Sequence, residues 1–337
     1  MLIINALIKN RKKNPELYFF WIALTAAFIA LYVYSPQISA AVADSLKICA
    51  TSVIPALFPF FIANNLAVES GLAEFIGKPL AMPFRRLFGI GSAGASSFVL
   101  GAVGGFPAGA ECAVRLYRNG KCSRDETERM IAFCNNTGPA FPVVFIGSSL
   151  LGSPAAGAVL YTLQLVSAAA VGIGMRFTAK DSPKGEKNPG IVKKTEAGAT
   201  DKTPSEIFIL AITDASLTML RTCGFLVAFA VISSFAEVFL ESTGLMNGIF
   251  SSALFGFLEL TESVLRASAI DGRYGYALCG LALGWAGMSV HMQTSVVCHN
   301  VNPGQGKLSM KRYYIGKLFQ GILCALAAYA LYPFVAP

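Results

Sequence analysis

The chain has 337 residues, of which 54% are hydrophobic and 14% charged, and its mean hydropathy is +0.57. This composition excludes a soluble globule and describes a polytopic membrane protein. The net charge of +8 is no argument for a nucleic-acid partner, because basic cytoplasmic loops account for it.

Eight cysteines (Cys49, Cys112, Cys122, Cys134, Cys223, Cys279, Cys298, Cys324) are scattered, mostly in apolar segments, with no CxxC pair. Free buried thiols are expected, not a disulfide framework or a zinc site. His291 and His299 are the only histidines and have no acidic neighbour. No metal or cofactor is expected. No G-x-S-x-G, H-E-x-x-H or phosphate-cradle motif occurs, so nothing points to an enzyme.

The N-terminal stretch ends in Lys9, Arg11, Lys12 and Lys13. No A-x-A-like site follows just after the apolar run Leu17–Tyr34, so that run is expected to stay as an anchor. Its length is close to the roughly 20 residues a bilayer needs. Tyr18, Trp21, Tyr32 and Tyr34 sit near its ends, where aromatic rings favour the interface. The basic cluster puts the N-terminus in the cytoplasm, and residues 1–44 form the anchor unit.

After a short loop, Leu46–Val68 returns as a helix kinked at Pro55 and Pro59. Gly71–Phe88 mixes Glu74, Lys78, Arg85 and Arg86 with apolar residues, the pattern of an interfacial helix. Phe98–Tyr117 is apolar, yet Gly101, Gly104, Gly105, Pro107 and Gly109 punctuate it. Gly costs about 1 and Pro about 3 kcal/mol in a helix interior. Backbone groups freed by such breaks cannot face lipid. The stretch 98–117 is therefore read as a re-entrant hairpin with its tip at Gly104–Gly109; the alternative is a kinked spanning helix with close glycine packing. A charged loop follows, in which Ser123 and Glu126 form a capping box. The helix it starts runs into Ile131–Leu150, broken at Asn135-Asn136-Thr137-Gly138-Pro139. Pro154–Phe177 spans back, and residues 45–177 make one repeat.

Residues 178–205 are polar and without period, a cytoplasmic linker. Residues 206–337 repeat the plan. Ile207–Leu240 is long for one span, with Asp214 and Arg221 near the inner face. Leu245–Ile270 carries Gly256–Ser263 in its middle, where Glu259 and Glu262 are costly in lipid. It reads as a second hairpin, 245–270, with its tip near those two carboxylates. Tyr274–Val297 is broken around Gly284, Gly287 and Ser289–Gln293. A basic loop, Lys307 to Arg312, precedes the last span, Tyr313–Phe334. If both hairpins return to their own side, all of the 27 Lys and Arg except Lys47, Arg221, Arg266 and Arg273 fall in inside segments, with Lys317 counted among them. The expected fold is an all-α membrane protein built as an inverted repeat, with about seven spanning helices and two re-entrant hairpins.

In that architecture a solute sits near the midplane between hairpin tips and broken helices. Half-helix N-termini there suit anions and oxygen-rich solutes. The candidate binding residues are the backbone of Gly104, Gly105 and Gly109; Asn135, Asn136 and Thr137; Glu259, Thr261 and Glu262; and Ser289, His291 and Gln293. Glu111 is a candidate tie between the first hairpin and its neighbours. Asn135–Thr137 can equally stitch helices together, and His291 can be a satisfied interior histidine. Glu259 is the strongest candidate, because a carboxylate at depth is expensive.

At GGFPAGAECA (104–113), NNTGPAF (135–141), FLELTES (257–263) and GWAGMSVHMQ (284–293) the chain resembles the YlbJ family of sporulation integral membrane proteins, which carry the nucleoside-recognition or Gate domain. The resemblance covers roughly 45–335, and the four motifs are specific together, not singly. It implies a permease-like protein of a bacterial cell membrane or of a membrane around the forespore. By family pattern, Gly105, Pro107, Gly109, Asn135, Asn136, Gly138, Pro139, Glu259, Thr261, Ser289, His291 and Gln293 occupy motif positions. Glu262 departs from it, since the pattern implies Asn after the threonine. The expected function is transport of a small polar metabolite, with an anionic, dipicolinate-like solute first and a nucleoside second. The expected partners are this solute, membrane lipid, and further copies of the chain or sporulation membrane proteins. A scaffold of the forespore membrane that moves nothing is the alternative of a different class.

Overall fold

The computed structural model describes residues 15–179, 202–243 and 254–335. The N-terminal basic cluster, the interior of the linker and residues 244–253 of the second predicted hairpin lie outside them. The described residues form helices and no strand.

Helix α1 (Pro15–Val33) is strongly apolar after Glu16. Helix α2 (Ser35–Ile48) follows at once, bent by 88° from the first. The sequence reading put a short loop between Tyr34 and Leu46. A proline in the first turn and a run of alanines favour helix instead. A wide π-type turn, Cys49–Val53, leads into α3 (Ile54–Glu69), which contains Pro59.

Helix α4 (Leu72–Phe88) is amphipathic and closes on Gly89 in the left-handed region, φ 66°. Helix α5 (Ser92–Gly104) turns away from it by 100°. The chain then breaks at Gly105–Pro107 and reverses into α6 (Ala108–Arg118), which packs back on α5. Helix α7 (Arg124–Cys134) starts with the capping box: Glu126 N–H donates to Ser123 Oγ at 3.2 Å, and Ser123 N–H to Glu126 Oε2 at 2.8 Å. Met130, Phe133 and Cys134 at its end are fully buried. After an unwound stretch come the π-type helix α8 (Ala140–Leu150) and α9 (Pro154–Arg176).

Helix α10 (Pro204–Thr243) runs unbroken for 40 residues, about 60 Å at 1.5 Å per residue. A short helical stretch at 254–258 ends at Glu259, where α11 (Leu260–Ser268) begins. Helices α12 (Arg273–Trp285) and α13 (Gly287–His299) meet at Ala286. Helix α14 (Lys311–Leu331) packs along α12, and Gly284 faces Gly321 so closely that a Cβ would lie 2.5 Å from its Cα.

Among the described residues, three helices can cross a membrane by length and composition: α9, α10 over Pro204–Val238, and Lys311–Phe334. The count is up to five if the bent pairs α1–α2 and Gly77–Phe88 with α5 each make one span. The segments 131–150 and 274–297, read as broken spans in the sequence, are each divided into two shorter helices.

Candidate functional site

Two interruptions in each half of the chain approach each other. Gly105 has φ 80°, and a Cβ on it would lie 2.9 Å from the Gly138 nitrogen. Gly287 has φ 79°, and a Cβ on it would lie 3.1 Å from the Glu259 Cα. In both places the left-handed backbone and the close approach of another strand of main chain require glycine. The first contact joins the α5–α6 break to the unwound stretch before α8. The second joins Glu259 to the α12–α13 junction.

Between these two contacts lies a cavity of about 80 Å³. One side of its wall is Gly105, Phe106, Thr137 and Gly138; the other is Glu259, Thr261, Ser289 and Gln293. Thr222 of α10 and Ser52 of the wide turn complete the polar lining, and Leu57, Phe141, Phe145 and Leu226 supply apolar area. The volume has room for several waters.

Glu259 is buried at 7% exposure. Its side chain is the N-cap of α11 and accepts the Glu262 N–H at 2.8 Å. That helix end is therefore closed by the chain's own carboxylate and is not free for an incoming anion, as the sequence reading had it. Behind Glu259, the Trp285 indole N–H donates to the Phe257 carbonyl at 3.2 Å, and the two rings stack at 5.4 Å.

The first interruption is longer and is held by side chains from elsewhere. Asn135 Nδ2 donates to Thr294 Oγ1 at 2.9 Å. Asn136 donates to the Phe133 carbonyl at 2.8 Å and accepts from Gln320 Nε2 at 2.8 Å. Thr137 Oγ1 donates to Gln164 Oε1 at 2.5 Å, and Gln164 Nε2 in turn reaches the Leu283 carbonyl at 3.3 Å. Lys317 donates to the Asn135 carbonyl and to Gln320 Oε1. Gln164, Lys317 and Gln320 are all fully buried.

Of the sequence candidates, Gly105, Thr137, Glu259, Thr261, Ser289 and Gln293 line the cavity together. The others do not line it. Gly104 faces the Asn64 side chain, and Gly109 packs on the Cys134 carbonyl. Asn135 and Asn136 turn into the network behind the wall. Glu262 is half-exposed and pairs with Arg266 at 2.6 Å, four residues on. The two carboxylates are thus not a pair in one site: Glu262 offers its backbone N–H to Glu259, and its side chain leaves on the next turn. His291 is fully buried among the Trp285, Tyr313 and Tyr314 rings, with Nδ1 3.0 Å from Tyr313 Oη. Glu111 accepts from Thr218 at 3.5 Å beside a second cavity of about 10 Å³, which Asn64 and Asn65 also line.

Sequence reasoning missed Thr222, Gln164, Gln320 and Lys317, and had counted Lys317 with a cytoplasmic loop. A signal for three of these was present: a lone Gln or Lys inside an apolar run is a polar group that must find a buried partner. Among the described residues no cluster of three His, Cys, Asp or Glu could hold a metal.

Over 335 aligned residues the chain is 24% identical to the sporulation integral membrane protein YlbJ of Bacillus subtilis (strain 168), covering 91% of this chain and 80% of that protein. The resemblance read from four motifs thus extends along nearly the whole sequence. No family model and no solved structure matches the chain. With its apolar helices, the chain is a helical membrane protein.

Proposed function

We propose, from the likeness to the YlbJ family of sporulation integral membrane proteins, that this chain is a permease for a small polar metabolite in a bacterial cell membrane or a membrane around the forespore. In this reading the chain is a Gate-like inverted repeat with a cytoplasmic N-terminus. Residues 98–117 and 245–270 are its re-entrant hairpins, and it carries out no covalent chemistry. The observation that carries the reading is the cavity where the interruptions of both halves meet, with Glu259 buried in its wall. Interrupted helices inside a membrane protein are tolerated where they line a cavity. A scaffold needs no such cavity.

Hydroxyls of Thr137, Thr222, Thr261 and Ser289 and the amide of Gln293 would hold a solute rich in oxygen or ring nitrogen. Glu259 would accept from a solute hydroxyl or carry a proton with it. A dipicolinate-like anion remains the first candidate; it would enter against a protonated Glu259. A nucleoside is the second, since its sugar hydroxyls match an ionised carboxylate.

The test is uptake of labelled dipicolinate and of labelled nucleosides into proteoliposomes, with and without a proton gradient, by wild type and Glu259→Gln. Selective uptake that disappears in the variant, at equal folded protein, is the expected result. Uptake by Glu259→Gln at the wild-type rate would remove the role of Glu259. Absence of uptake of either class by folded wild type would count against these solutes and favour the scaffold.

A further inference from the structure

The first interruption holds a buried lysine. Lys317 lies in the second turn of α14 and is fully buried. Its ammonium donates to the Asn135 carbonyl, to Gln320 Oε1 at 2.8 Å and to Asn136 Oδ1 at 3.5 Å. Three donors meet three oxygens, which is the full capacity of an ammonium and exceeds the two N–H bonds of a neutral amine. The Phe106 ring covers another side, its centroid 5.3 Å from the nitrogen. Among the described residues Lys317 has no carboxylate in ion-pair contact. Its negative partners are dipoles.

Those dipoles have a particular origin. Asn135 is the C-cap of α7 and leaves the helix in extended conformation, φ −93°, ψ 95°. The last carbonyls of a helix lack intrahelical donors and form the negative end of its dipole. Carbonyls at an unwound half-helix end are the ligands that broken-helix membrane carriers use for a coupling cation. Here the equivalent space is filled from within the chain. One of its contacts also reaches the cavity, since Phe106 is part of the wall, and Asn136 directly precedes the wall residue Thr137.

We propose that the oxygens of Asn135, Asn136 and Gln320 form a monovalent-cation site at the end of α7, and that the Lys317 ammonium is its built-in occupant. The protein therefore needs neither sodium nor potassium to hold this break in shape. Removing the ammonium exposes an oxygen cage that takes either ion from solution. A lysine that merely stitches helices together would leave no such ion dependence behind. The consequence for transport, flux indifferent to sodium, rests on the permease reading. The site itself does not.

The experiment is thermal unfolding of the detergent-solubilised full chain, followed by tryptophan fluorescence. Wild type, Lys317→Ala and Lys317→Ala/Gln320→Leu are compared in sodium, potassium and choline chloride at equal ionic strength. We expect one midpoint for wild type in all three salts. We expect Lys317→Ala to melt lower in choline and to recover saturably with sodium or potassium, as a bound ligand stabilises a native state. We expect the added Gln320→Leu to abolish the recovery. A folded Lys317→Ala that melts at one temperature in every salt overturns the proposal. So does saturable stabilisation of wild type by sodium or potassium, a measurement that needs no variant. Neither readout uses transport, so failure here and failure of the uptake assay are separate results.

Discussion

The two halves interrupt their helices by different means. The first unwinds five residues, Asn135 to Pro139, and holds the side chains of Asn135, Asn136 and Thr137 with partners from α13, α14 and α9, while Lys317 of α14 donates to the Asn135 carbonyl. The second interrupts single positions, Glu259 and Ala286, and closes one helix end with one carboxylate. A long break frees many backbone groups, and in a membrane protein each must find a partner within the fold. It therefore recruits a distant network. A one-residue break needs only a cap. Structure at the first break is thus distributed over the molecule, and at the second it is local.

Substitutions can break or sharpen this contrast. The largest effect is expected where both halves are alike, at the glycines of the two contacts. Gly105→Ala and Gly287→Ala each force a side chain into the left-handed region and against another main chain, for a loss of about 2–5 kcal/mol. Thermal midpoints in detergent check this, and a near-wild-type midpoint for either would dissolve that contact.

Next comes Gln164→Leu, which strips a partner from Thr137 and from the Leu283 carbonyl in one step. Buried groups left unpaired cost about 1–3 kcal/mol. Glu259→Ala should cost less stability, about 1 kcal/mol as a lost N-cap, while abolishing uptake. Should Glu259→Ala destabilise the fold more than Gln164→Leu, the distinction between distributed and local breaks is wrong.

The smallest effect is expected far from the cavity, at Asp125, which accepts from Arg312 at 2.6 Å and Arg129 at 3.0 Å. Burial by itself would raise its carboxyl. The Arg312 hydrogen bond and charge, followed by those of Arg129, outweigh burial and hold it below the usual range. A carboxyl lowered on folding stabilises above its unfolded value, near 3.9 for Asp, and that contribution is lost as pH falls through the folded one. Asp125→Asn should cost about 1 kcal/mol or less at neutral pH and flatten the acid limb of the stability curve. An unchanged acid limb would show that Asp125 does not contribute to it.

Much of the fold was legible because its causes are local. Gly105 and Pro107 mark the first reversal, and Asn135–Pro139 the long break, because no helix holds such residues cheaply. Ser123 and Glu126 announce the start of α7 three residues apart. The candidate site was half legible. Gly105, Thr137 and Glu259 sit on the breaks themselves, so composition finds them, whereas Thr222 lies inside the unbroken α10 and carries no such mark. Helix α2 was not legible, since its polar residues lower hydropathy without lowering helix propensity.

By itself, then, the sequence determined an all-helical membrane chain and where its helices fail. Hydrophobic runs and backbone-breaking residues act over a few positions and can be read in order. Only the tertiary structure decided which breaks meet, that Glu262 turns outward to Arg266 while Glu259 stays in, and that Lys317 leaves the basic loop count for the interior. A lysine is tolerable there because three oxygens converge on it, two of them on residues 181 and 182 positions away in the chain. That convergence belongs to packing and leaves no mark on the local pattern.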